Sequence, residues 1–233
     1  MMKKNIFFTM IFALISMALV SCEDKETEGL SRFTYYPLLE LEGESYMVVG
    51  KGTNFQDPGF SATLNGEDVS SQVTVSSNVN TNKSGVYTVV YSIKNEDGIA
   101  ANAKRTVVVL DLNSKVEGFY QITPDSYRLR QGAQVAYGSP FEMLIIDNGD
   151  GTYNVDDLLG GWYCQRAGHG TNYAMAGVIS IAGDGTVTCL RNGVPGWGDA
   201  ADAFEGTFDA ATSTLNMKVT YAGMDFVQTW VKE

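Results

Sequence analysis

Beyond residue 20, no segment of the chain repeats its apolar residues at helical spacing. Short runs rich in Val, Ile, Thr, Tyr and Phe alternate instead with clusters of Gly, Asn and Asp, the pattern of an all-β chain. "VYTVVYSI" (Val86–Ile93) shows the logic. Tyr87, Val89 and Tyr91 face one side, and Val86, Val90, Thr88 and Ser92 face the other. Apolar residues on both faces require cover by a second layer. "NEDG" (Asn95–Gly98) then supplies a turn, and Ala103–Leu110 returns as the neighbouring strand. Roughly seven such runs between Phe33 and Leu112 predict a β-sandwich. No Cys-Trp-Cys core is present, so it is not of the antibody type.

After a short polar joint, "LNSK" (Leu112–Lys115), residues 116–233 restart with "VEGFYQIT". Strand-like runs follow at meander spacing, among them "SYRLRQ", "FEMLIID", "TYNVDD", "GWYCQRAG", "YAMAGVISIA", "TVTCLRN", "AFEGTFD", "TLNMKVTYA" and "MDFVQTWVKE". Consecutive hairpins favour an antiparallel up-and-down barrel, which leaves no exposed sheet edges. A second sandwich is the alternative. A joint this short predicts two domains with limited relative motion.

Residues 1–21 read as an export signal: Lys3 and Lys4 precede an apolar stretch, Ile6–Val20. At about 15 residues it is short for a membrane span, which needs about 20. The stretch ends in "LVSC" (Leu19–Cys22), which resembles the bacterial lipobox. That resemblance implies cleavage before Cys22 and acylation of Cys22, hence anchoring to outer-membrane lipid by acyl chains. The acidic run "EDKETEG" (Glu23–Gly29), within a tether of residues 22–32, resembles the surface-export signal of Bacteroidetes lipoproteins. It implies exposure on the cell surface; a periplasm-facing location is the alternative.

The formal net charge is −11, and removal of Lys3 and Lys4 with the signal takes it to −13. Such a surface repels nucleic acid phosphates and excludes that partner class; a neutral or cationic partner fits better. With Cys22 used by the anchor, Cys164 and Cys189 remain of the three cysteines. They could pair as a disulfide across neighbouring strands, or serve as two buried thiols. No metal or other cofactor is expected: there is a single His, His169, and no Cys-x-x-Cys.

Two further resemblances extend this reading. In "FQDPGFSATLNGEDVSSQVTV…SGVYTVVYSIKNEDGIAANAKRTVVVLD", Phe55, Asp57, Pro58, Gly59, Gly85, Tyr87, Tyr91 and Arg105 resemble the pattern of bacterial Ig-like modules common in secreted Bacteroidetes proteins. Such modules act mostly as spacers. "EGFYQI", "DNGDGTYNVDDLLGGWY" and "FEGTFDAATSTLNMKVTYAGMDFVQTW" are similar to the lipocalin-like C-terminal domains that follow such a module in Bacteroidetes surface lipoproteins. This likeness implies a role accessory to glycan uptake, with a glycan ligand or envelope protein partners.

Three chemistries are weighed on the residues themselves. A calcium loop of the EF type fails in register: from Asp147, positions 3 and 5 fall on Gly149 and Gly151. A second copy, "AGDGTVTC" (Ala182–Cys189), matches "NGDGTYNV" (Asn148–Val155), and both read as hairpin turns. Nucleophilic catalysis lacks a base other than His169, which sits between glycines, so no catalytic residues are assigned. Scattered carboxylates such as Asp199, Asp202 and Glu205 do not by themselves make a hydrolase. Binding remains. Trp162, Tyr163, Tyr173 and Trp197 stand in Gly-rich contexts that leave a ring open for stacking on a sugar. Asp156, Asp157, Arg166 and Asn172 are the candidate polar partners. Trp230 reads as core. The expectation is a non-catalytic, lipid-anchored binding protein. The alternatives are a structural subunit of an envelope assembly and, less favoured, a hydrolase.

Overall fold

The computed structural model describes residues 33–233; the export signal, Cys22 and the acidic tether lie outside the described residues. The first module comprises β1 (Leu38–Leu41), β2 (Tyr46–Gly50), β3 (Phe60–Leu64), β4 (Glu67–Asp68), β5 (Thr74–Ser77), β6 (Gly85–Lys94) and β7 (Ala100–Leu110). They form two sheets, β1-β3-β4 and β2-β7-β6-β5, with β2 parallel to β7. Val89, Tyr91, Val107 and Val109 fill the space between them, against Leu39, Leu41 and Phe60. The alternation read from Val86–Ile93 holds: Val89, Tyr91 and Ile93 are buried, and Val86 and Val90 are exposed.

The Ig-like motif residues meet around one buried charge. Arg105 is fully buried and pairs with Asp57. It also donates to the carbonyls of Glu42, Glu44 and Gly59. The Tyr91 hydroxyl donates to Asp57 as well, and burial followed by the Asp57 carboxylate pushes that phenol up to about 12.

The second module contains β8 (Gly118–Ile122), β9 (Tyr127–Arg130), β10 (Ala133–Ala136), β11 (Glu142–Asp147), β12 (Thr152–Val155), β13 (Ala176–Ile181), β14 (Thr186–Gly193), β15 (Ala203–Asp209), β16 (Thr214–Tyr221) and β17 (Met224–Lys232). The order β8-β11-β12-β13-β14-β15-β16-β17 closes on itself through β17–β8 pairing, giving an eight-stranded antiparallel barrel. The β9–β10 hairpin adds to the start of β17. Alternate residues point inward and fill the barrel: Ile122, Met143, Ile145, Ile179, Leu215, Val219, Phe226 and Trp230 are each fully buried. The interior is therefore a packed core rather than a ligand cup. The short β10 was not anticipated from its composition, "AQVA".

Both "GDGT" copies are hairpin turns. Asn148 N–H donates to the Thr152 carbonyl, and Ala182 N–H to that of Thr186. Asp150 accepts from the hydroxyl and N–H of Thr152, and Asp184 from the N–H of Thr186, which lowers both carboxyl pKa values.

"GWYCQRAG" is not a strand. Gly160 and Gly161 both adopt left-handed backbone (φ 60° and 78°), after which Trp162–Arg166 forms a π-helical turn. A Cβ at Gly160 would lie 2.4 Å from Gln228 Oε1 and 2.6 Å from Ile122 Cδ1, so only Gly passes so close to the barrel lining. The segment between β12 and β13 thus plugs one end of the barrel with Leu158, Leu159 and Trp162. Gln228, buried inside, donates to the Leu158 carbonyl and accepts from the Trp230 indole, tying plug to wall.

The modules pack directly. The end of β7 buries Val107 and Val109 in the sandwich, and Val108 and Leu110 against Leu144, Phe119 and Ile146 of the barrel wall. Buried Glu117 accepts from the Ser84 hydroxyl and from the N–H groups of Asp111 and Asp147, so one carboxylate joins module, linker and hairpin.

Candidate ligand-binding site

The plug between β12 and β13, the β14–β15 loop, the β16–β17 turn and the β9–β10 hairpin all emerge at the same end of the barrel. The linker enters at the other end, before β8. The plugged end collects an aromatic cluster. Tyr163 meets Trp197 edge-on at 4.8 Å, and Tyr173 meets Trp197 at 4.9 Å. His169 lies parallel to Tyr163 at 6.4 Å and edge-on to Tyr173 at 5.6 Å. Tyr221 backs Trp197 at 6.3 Å. Trp197 is 45% exposed, an unusual degree for a tryptophan with four aromatic neighbours.

Backbone bonds fix the Trp197 loop. Gly196 N–H donates to the Asn172 carbonyl (2.7 Å), Val194 N–H to that of Asp199, and Gly198 N–H to that of Val194. A Cβ at Gly196 would press within 2.6 Å of the Tyr173 ring, so glycine lets the two loops touch. The Tyr221 hydroxyl donates to Asp199 (2.8 Å), and its pKa is raised by burial and then by that carboxylate. Behind the loop, Asn192–Pro195 and Gly198–Ala200 line a recess of about 530 Å³. Tyr163 is half-buried, and burial raises its phenol pKa against the pull of Arg128 and Arg130.

Of the residues singled out from sequence, Tyr163, Tyr173 and Trp197 come together, with the Asn172 backbone holding them. Trp162 does not join their open face. It is buried, edge-on to Tyr137 (4.9 Å) and Phe226 (5.8 Å), because the π turn directs it into the barrel. Arg166 lies over its ring (Cζ 4.2 Å from the centroid), and Arg128 at 4.8 Å is a second cation on the same indole. Asp157 is also buried and structural. It accepts from the N–H groups of Leu159, Met175 and Gly161 and from the Cys164 thiol, while burial raises its pKa.

Cys164 and Cys189 are free thiols, not a disulfide. The π turn aims Cys164 at Asp157 (3.2 Å), whereas Cys189 sits on β14 beside the Arg191 carbonyl. Burial and the adjacent Asp157 push the Cys164 thiol up to about 12, which keeps it protonated and unreactive. His169, Tyr221, Arg128 and Arg130 were missed as site residues. Only the arginines left a signal, as the i, i+2 pair in "SYRLR".

Asp156 stands elsewhere, on the outer wall, in a recess of about 440 Å³ between β11–β14 and Val86 of the first module. Solvent reaches its side chain, but protein surrounds it, and this desolvation is the main cause that raises its pKa to about 6. Its folded pKa thus exceeds the unfolded value, so its contribution to stability is greatest below about pH 4 and is lost as pH rises through 6. Asp156→Asn keeps an oxygen for the Leu144 N–H. It is expected to raise the denaturation midpoint at pH 7 but not at pH 4; equal shifts at both pH values would contradict this origin.

Residues 39–109 match a family model described as "Bacterial surface protein, Ig-like domain". Residues 109–232 match one described as "-like, C-terminal domain". The crystal structure of the lipoprotein BT2262 from Bacteroides thetaiotaomicron is 39% identical, with 85% of this chain and 100% of that chain aligned at a TM-score of 0.70. The chain belongs to this lipoprotein family. Together the matches describe a surface lipoprotein with an Ig-like module and a β-barrel. Two structures of Clostridium perfringens ZmpB are also similar in part. One contains the M60 catalytic domain with CBM51-1 and CBM51-2 (19% identity, 54% of this chain, 14% of that chain, TM-score 0.28). The other contains CBM51-2 in complex with GlcNAc (20% identity, 51% of this chain, 31% of that chain, TM-score 0.26). At those scores the superpositions carry no functional argument. No curated protein matches the chain.

Proposed function

We propose that this chain is a non-catalytic surface lipoprotein, held to outer-membrane lipid through acylated Cys22, whose barrel binds a glycan at its plugged end. The observation that carries the reading is Trp197, nearly half exposed on a rigid aromatic base of Tyr163, Tyr173 and His169. An exposed indole stacks on the apolar face of a pyranose ring, and nearby polar groups hold its hydroxyls. Asn172, Asp199 and the half-buried Tyr163 hydroxyl stand around it in this role. The base is pre-organised by loop–loop hydrogen bonds, so little ordering cost falls on binding. The Ig-like module packs on the barrel wall, and the linker joins the barrel at the end opposite the plug.

The test is affinity electrophoresis of the detergent-solubilised full chain through gels containing plant, algal or host polysaccharides. Retardation by at least one polymer is expected, and Trp197→Ala is expected to weaken it by about tenfold or more, as loss of a central aromatic anchor does. No retardation in any gel, or a Trp197→Ala variant that migrates like the parent, would refute the reading. A subunit of an envelope assembly is the second reading. It would use the outer face of the β2-β7-β6-β5 sheet, where Val48, Val86 and Val90 are exposed, and would leave Trp197 dispensable.

A further inference from the structure

We propose that the aromatic platform continues into an anion subsite formed by Arg128, Arg130 and Arg166, so that the ligand is a glycan bearing carboxylate or sulfate groups. This rests on the glycan reading of the same barrel end and narrows its substrate class.

The register of β9 on β17 places the first cation. Arg128 pairs with Phe226, whose side chain is in the barrel core, so Arg128 shares that inward face. Arg130, two residues on, lies on the same face at the end of the strand and is exposed. Arg166 arrives from the plug and lies over the same Trp162 ring as Arg128. Arg128 and Arg166 therefore meet at Trp162 from two separate elements, and Arg128 and Arg130 both act electrostatically on the Tyr163 hydroxyl.

Among the described residues none of the three has a carboxylate partner. Among the described residues the ion pairs are Arg105–Asp57 and Lys218–Asp225. Of the acids near this region, Asp157 is held by three N–H groups and a thiol, and Asp199 accepts from the Tyr221 hydroxyl. Arg166 Nε donates to the Tyr137 carbonyl, but Arg128 Nε is buried without any partner. Arg130 and Arg166 are exposed, but the buried Arg128 Nε is costly to leave without an acceptor, which a ligand oxygen would supply. Both guanidinium carbons lie over the Trp162 ring, and Arg166 gives its Nε–H to the Tyr137 carbonyl, so the Nη groups are the ones left for the contacts that carboxylate and sulfate groups accept. Net charge argues against polyanions at long range, but charges separated by more than about 8 Å are largely screened, so contact at this cluster decides.

The experiment compares three probes on the detergent-solubilised full chain by affinity electrophoresis: polygalacturonate, a sulfated galactan and a neutral galactan. One or both acidic polymers are expected to bind about tenfold or more tightly than the neutral one, and the two arms separate carboxylate from sulfate recognition. Arg130→Gln, at an exposed position, is expected to remove that advantage without lowering the melting temperature; Arg166→Gln should also reduce it, with some loss of stability because its Nε holds the Tyr137 carbonyl. Trp197→Ala should weaken binding of every retained polymer. If the neutral galactan binds as tightly as the acidic polymers and Arg130→Gln changes nothing, the anion subsite is wrong and the glycan reading survives. Acidic polymers lost in Arg130→Gln but indifferent to Trp197→Ala would instead overturn the platform, leaving plain charge attraction. No retention of any probe overturns both.

Discussion

Replacing Asp57 with alanine is expected to destabilise the chain by about 3 kcal/mol, the lower end of the cost of breaking a buried ion pair. The asymmetry of the pair sets the size. Arg105 is completely buried, while the Asp57 side chain is 29% exposed. Removing Asp57 leaves the guanidinium in the sandwich with only neutral acceptors, the carbonyls of Glu42, Glu44 and Gly59 and the Tyr91 hydroxyl, and leaves that hydroxyl without its own acceptor. Water entering from the exposed side relieves part of this, which keeps the cost at the lower end. Because a domain's whole stability is about 5–15 kcal/mol, the loss should be plain in urea denaturation. All three tryptophans lie in the barrel, so circular dichroism reports both modules and indole fluorescence only the second. The shift should appear first in circular dichroism; a midpoint unchanged to within about 0.5 kcal/mol would show that Arg105 does not depend on Asp57.

The same motif marks how much could be read in advance. Asp57-Pro58-Gly59, Tyr91 and Arg105 belong to a recognisable local pattern, and strand alternation and Asp-Gly turns are set by neighbours in sequence, so the sandwich and barrel were legible. "GWYCQRAG" was misread as a strand because Trp and Tyr favour strands, while the consecutive left-handed glycines Gly160 and Gly161 override that preference. Cys164 and Cys189 looked able to pair only while both were taken as strand residues. The aromatic cluster was partly legible, since Gly-flanked rings in loops were the cue for Tyr163, Tyr173 and Trp197. Trp162, one residue away from Tyr163, went wrong with the turn that carries both. Arg128 and Arg130 were visible as an alternating pair, but the face they occupy follows from pairing with Phe226 nearly a hundred residues later, which no local pattern encodes.

The platform stands on the plug, and the plug stands on Asp157. This carboxylate is 2% exposed and binds both ends of the segment: Leu159 and Gly161 near its start, Met175 at its end, with Cys164 between. Asp157→Ala strands three buried N–H donors. At roughly 1–3 kcal/mol for each unsatisfied group, a loss of at least about 3 kcal/mol is expected. Asp157→Asn should cost less. Its oxygen can still accept from Leu159 and Met175, but its amide then faces the Gly161 N–H and the Cys164 thiol, donor against donor. The expected order of stability is therefore parent, then Asp157→Asn, then Asp157→Ala, read by indole fluorescence, since Trp162 follows the same turn. Glycan retention should fall in that order as well, because Tyr163 is carried by the segment Asp157 pins. Equal stability of all three proteins would mean that the plug is held by Leu158, Leu159 and Trp162 packing alone. A stable Asp157→Asn variant with full retention would show that two of the four acceptor bonds suffice to position Tyr163.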